Sequence, residues 1–160
     1  MPDHKTAHSE AAKVKWAALT ALIFTQRMNE KLREITEKQG ADRAVHAFVA
    51  SVNSDLARTL FCREHVESMR RDAEELVQMA KTEDKETLTR HLLQQFGGEK
   101  EAENARTWIE AVRIAGVEIA EDGQHAKIVG IGATTADGTE IDEIPLPLVK
   151  EDGQWKFRMF

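Results

Sequence analysis

The sequence predicts an α+β fold, with helices through the first two-thirds and then a four-stranded antiparallel β-meander. Three observations predict it. Apolar residues recur with a helical period up to about residue 113. The period then changes to two. Over that second stretch three Asp-Gly pairs, Asp122-Gly123, Asp137-Gly138 and Asp152-Gly153, follow one another at 15-residue intervals. Asp-Gly between strand-like segments is a strong hairpin signal, and three evenly spaced copies imply four strands in sequential order.

The first helix is expected over 9–38, a stretch without Gly or Pro. Ala17, Ala21, Phe24, Met28, Leu32 and Ile35 form its apolar stripe, with Trp16, Leu19 and Ile23 widening it. Such a helix spans about 45 Å, longer than one side of a domain this size. Its second stripe therefore calls for another partner, either the next helix or a second copy of the chain in a homodimer. Gly40 is placed to end it, and Asp42 to cap a second helix. That helix has Val45, Phe48, Val49, Val52, Leu56 and Leu60 on its face, with Asn53-Ser54-Asp55 reading as a turn inside it.

A third helix is expected over 64–81, with Val66, Met69, Ala73, Leu76, Val77 and Ala80 inward. Thr82 reads as the cap of a fourth, which ends at Gly97-Gly98. The fifth, over 100–113, presents Ala105, Trp108, Ile109 and Val112. The strands are expected at 115–121, 124–135, 139–149 and 154–160. Ile144, Leu146 and Leu148 share one face, as do Trp155, Phe157 and Met159. Gly130 and Gly132 mark a bend or a close helix approach, and Pro145 and Pro147 a bulge or partial edge.

A chain of 160 residues, 41% hydrophobic and 31% charged, is sized for one domain with a real core. The single cysteine, Cys62, excludes an internal disulfide framework. Net charge is −6, and all of the excess falls in residues 99–160, which hold 13 acidic against 7 basic side chains. An acidic sheet repels phosphate backbones and anionic membranes, so neither nucleic acid nor a membrane surface is expected as a partner. The longest apolar stretch, Trp16–Phe24, is too short for a membrane span. No cleavage site follows it, so a cytoplasmic location is expected, with export as the alternative.

Few residues suggest chemistry. Cys62-x-x-His65 has half of a metal-site spacing without the other half, so neither a metal nor a cofactor is expected. His46, His91 and His125 read as surface or boundary residues, and Glu118, Glu140 and Asp142 as solvated carboxylates near strand starts. There is no glycine-rich phosphate loop, nucleophile elbow or EF-hand loop.

One resemblance enters at the C-terminus. The run from Val117 to Phe157 closes with Leu148, Lys150, Asp152, Gly153, Trp155 and Lys156. It resembles the nuclear transport factor 2-like superfamily, closest to the bacterial lumazine-binding-like group. The helix Ala44–Val52 is similar to that group's opening helix. The resemblance implies a cone-like domain over 41–160, with a curved sheet, and leaves the long N-terminal helix over 1–40 outside it as an extra packing or dimerisation element. The helix at 9–38 lies before the resemblance begins, and no lipoprotein-type cysteine precedes it. A pocket between sheet and helices is implied, with Trp108, Trp155 and Phe157 as pocket or core lining. The function expected is non-catalytic: small-ligand binding, or an accessory or interaction domain, with a small apolar ligand and a second copy as partners. The alternative is a small isomerase- or hydrolase-type enzyme, since enzymes of that superfamily work through a buried carboxylate or a histidine–aspartate pair.

Overall fold

Helical periodicity up to residue 114 becomes six helices among the described residues, and the Asp-Gly segment becomes antiparallel sheet. The computed structural model describes residues 4–96, 99–129, 133–134, 140–141 and 146–158. α1 runs His4–Lys38 and Gly40 ends it. At φ 103° this glycine takes a conformation that side chains disfavour, and its N–H donates to Ile35 O at 3.0 Å.

α2 (Ala41–Val52) follows at once. Asp42 does not cap it: Gly40 holds the cap position without a side-chain bond, and Asp42 stands in the first turn, where its charge faces the positive end of the helix. The turn at Asn53-Ser54-Asp55 divides the expected second helix in two. Ser54 caps α3 (Asp55–Leu60) by accepting from Ala57 N at 3.2 Å. The break shifts the helical phase, so Leu56, which an unbroken helix would turn inward, is 51% exposed.

α4 (Arg63–Thr82) and α5 (Lys85–Gln95) follow. Thr82 is the last residue of α4, its hydroxyl donating back to Gln78 O, and the cap of α5 is Asp84, whose carboxylate accepts from Thr87 N at 2.7 Å. α6 (Glu99–Ile114) leads directly into the strands.

These are β1 (Gly116–Ile119), β2 (His125–Val129), β3 (Ala133–Thr134), β4 (Glu140–Ile141), β5 (Leu146–Glu151) and β6 (Gln154–Phe157). The main sheet has the order β1-β2-β5-β6 with every neighbour antiparallel, the sequential arrangement expected. β3 and β4 form a two-stranded ladder of their own. Ile128 pairs with Leu146, and Ala133 with Ile141, so the two ladders share one register. The expected Asp137-Gly138 turn lies outside the described residues, as do Gly130, Gly132, Ile144, Pro145 and Met159.

The other two Asp-Gly turns differ in kind. Asp152 (φ 53°) and Gly153 (φ 77°) are both left-handed, which is the two-residue primed turn that matches strand twist. At Asp122-Gly123 only the glycine is left-handed, and a longer loop closes with Ala120 N donating to His125 O.

Pro147 stands in an interior strand rather than at an edge, and register explains why it is tolerated. Lys150 N bonds Gln124 O across β5 and β2, so by parity Pro147 turns its backbone towards β6 instead. There it faces Arg158, one residue past the end of β6, and still accepts from Arg158 N at 3.0 Å. The missing donor costs the ladder nothing inside the strand.

The inner face of the sheet carries Ala126, Ile128, Leu146, Leu148, Trp155 and Phe157, all buried. They join Val14, Ala18, Ala21 and Leu32 of α1 in one core, to which Phe48, Leu76, Leu92 and Val112 also belong. Phe61 bridges the layers, edge-on to Phe24 of α1 and to Phe157 of β6. Trp16 does not widen the buried stripe: it is 72% exposed. At 3.6 residues per turn it sits about 160° around the helix from Val14. No helix among the described residues is long and apolar enough to cross a membrane.

Candidate functional site

The inner side of the sheet is filled. Trp155 and Phe157 alternate with exposed or half-exposed neighbours on β6 and are 7% and 1% exposed, so both line the core. Trp108 on α6 packs against the same core and is half-buried. At one margin of this interface the Trp155 indole donates to Glu10 Oε2 at 3.1 Å. Lys150 Nζ reaches the same oxygen at 3.4 Å and lies 5.6 Å over the indole, while Lys13 reaches the other oxygen. The Trp155 hydrogen bond is the largest influence holding the Glu10 carboxyl below its usual range, with both lysines adding to it. This cluster clasps the start of α1 to the last hairpin. Among the described residues no buried side-chain nitrogen or oxygen lacks a partner.

The outer face is different. Alternation turns Glu118 of β1, Lys127 of β2, Pro147 of β5 and Arg158 after β6 outward, and the pairing registers set them in one row across the sheet. His125 stands in the next row, opposite Val149. Over these rows lies a cleft of about 450 Å³, lined by Glu118, Ile119, Ala120, His125, Lys127, Pro147 and Arg158, with Ala126 and Leu148 at its floor. None of Trp108, Trp155 and Phe157 borders it.

Its charges are paired at the rim. Lys127 Nζ lies 3.3 Å from Glu118, Arg158 lies 3.2 Å from Glu64 on α4, and His125 Nδ1 lies 2.8 Å from Asp122 Oδ2. The other oxygen of Asp122 accepts the amides of Gln124 and His125, and these bonds, the Gln124 amide foremost, hold its carboxyl below the usual range. The cleft thus offers an apolar strip between cationic side chains that a ligand could recruit by exchanging one partner for another.

The sequence marks Pro147 only as a backbone feature and does not single out Lys127 or Arg158, because what groups the three is pairing across strands. Alternation alone assigns an outward side chain but not its cross-strand neighbour. The other candidates fall elsewhere. Cys62 is buried and unpaired. His65 stacks on Phe61 at 4.7 Å, and burial pushes its pKa down from 6.5 against a smaller opposing pull from Asp72. His46, His91 and Glu118 are exposed, as expected, and the side chains of Glu140 and Asp142 lie outside the description. Among the described residues no three His, Cys, Asp or Glu side chains are grouped to hold a metal.

A second cleft, of about 420 Å³, lies where Arg58, Arg63, Arg70 and Lys156 meet Glu67, Glu151 and Asp152. Glu151 there accepts from Arg63 N at 3.1 Å, so a carboxylate of the chain itself already occupies the start of α4. No family model matches the chain, and no curated protein or solved structure matches it.

Proposed function

We propose that the protein is a non-catalytic binding or accessory domain that takes a small, largely apolar ligand on the open face of its sheet. The observation that carries this reading is the cleft over the Glu118–Lys127–Pro147–Arg158 row, which combines apolar lining, Pro147 included, with polar groups at its margin. A ligand with an apolar body and one anionic group matches it, the body over Pro147 and the anion beside Lys127. The nuclear transport factor 2-like resemblance, with its pocket on the other side of the sheet, remains part of this proposal only as a source of the fold.

The enzyme alternative rests on the His125–Asp122 pair, in which a carboxylate orients an imidazole at the cleft rim. Both side chains are more than half exposed, and Asp122 is engaged as the stabiliser of its own turn. Water is not excluded from the pair, so binding is the reading favoured.

Fluorescence titration with anilinonaphthalene sulfonate, an apolar anion, tests it. Saturable binding near one probe per chain is expected, weakened about tenfold by Lys127→Glu and unchanged by Lys81→Glu in the last turn of α4, at the opposite end from Glu64. Equal binding by the wild type and the Lys127 variant would refute the site.

A further inference from the structure

The two edges of the main sheet are unequal. On the β6 side the chain covers its own edge: Phe61 bridges to Phe157 in parallel, and Cys62 N donates to Phe157 O at 3.0 Å. On the β1 side nothing among the described residues does the same. Ala120 N bonds His125 O, so by parity Glu118 and Gly116 turn their backbone groups towards β2, while Val117 and Ile119 turn theirs outward. Those outward groups take no partner among the described residues.

Exposed apolar side chains gather at the same edge. Four large hydrophobic residues are exposed among the described residues: Trp16, Leu56, Ile114 and Ile119. Two of them flank β1: Ile114 precedes it and is 79% exposed, and Ile119 ends it. Lys15 Nζ donates to Ala115 O at 3.0 Å and ties α1 to the start of the strand. An unpaired strand edge bordered by exposed apolar residues is a template for another strand.

We propose that β1 pairs antiparallel with β1 of a second copy of this chain, joining the two four-stranded sheets into one across a two-fold axis. The occupant follows from the unequal edges. A chain with two open edges would pair β1 to β6 and grow without limit, whereas a chain with one open edge pairs only with its like and closes as a dimer. Charge removes one register. A pairing centred on Glu118 sets two carboxylates directly opposite each other, which is unfavourable. A pairing centred on Ile119 sets Ile119 against its copy, with both outward N–H groups donating across the axis, and places Glu118 opposite Ala120. This contact does not depend on the ligand cleft, and it moves the expected homodimer interface from α1 to the β1 edge.

Sedimentation equilibrium of the full chain from about 1 to 500 μM, a span covering weak and tight association, is the test. The wild type is expected to approach twice 18.0 kDa. Ile119→Pro removes only an outward N–H, leaving the β1–β2 ladder whole. Its dimer is expected to weaken by about tenfold or more, with an unchanged far-ultraviolet spectrum. Ile119→Lys, which keeps the backbone donor and places two ammonium groups at the axis, is expected to weaken it as well. A wild type that stays at 18.0 kDa throughout overturns the proposal. So does a folded Ile119→Lys variant that dimerises as tightly as the wild type.

Discussion

At the scale of single residues, Trp155 joins packing to electrostatics. Its ring closes the core beside α1 while its N–H meets Glu10. Trp155→Ala is expected to cost about 3–5 kcal/mol in chemical denaturation, the range for a large aromatic removed from a core. Trp155→Phe keeps most of the ring and loses the bond, and is expected to cost nearer 1 kcal/mol. Two titrations are separable by pH. The folded state depresses the His65 pKa, so the unfolded chain binds that proton more readily, and stability falls as pH drops below 6.5. Glu10 is depressed too, but as an acid: its contribution is present above its usual 4.5 and is lost as pH falls through the lower folded value. Denaturation midpoints from pH 7 to 3 are expected to show a first decline that His65→Phe removes. A later decline should be reduced by Glu10→Gln. A wild type with no decline before pH 5 would contradict the partial burial of His65.

At the scale of elements, what was legible in the sequence and what was not divide along physical lines. The Asp-Gly turns were legible because left-handed geometry narrows the choice of residue, and Asp152-Gly153 folds as the spacing implies. Helix existence was legible from periodicity; caps were not. Asp42 and Thr82 are acceptable cap residues by type, but the cap of α2 is Gly40 and that of α5 is Asp84, each two positions away. Periodicity also gave Trp16 to the core, since it reports which residues are apolar and not which side the sheet takes. The outer-face row needed cross-strand register, which no single strand carries. Two substitutions test the elements. Ser54→Ala removes the cap of α3 and is expected to cost about 1 kcal/mol. Gly153→Ala places a side chain at φ 77° and is expected to cost about 1–2 kcal/mol, read from thermal melting. A Gly153 variant as stable as the wild type would mean that the last hairpin turns in some other way.

At the scale of the whole molecule, α1 organises the fold. It supplies Val14, Ala18, Ala21 and Leu32 to the core, meets the last hairpin through Glu10, and meets the start of β1 through Lys15. The sheet's inner face is thereby used up in holding the molecule together, and its outer face and β1 edge are the surfaces proposed for recognition. A map of amide and indole chemical-shift changes during titration with anilinonaphthalene sulfonate tests that division. Shifts are expected to concentrate at Glu118, His125, Lys127, Val149 and Arg158, while the Trp108 and Trp155 indole signals stay in place. Movement of those two indoles with a silent outer face would put the pocket between sheet and helices and contradict it.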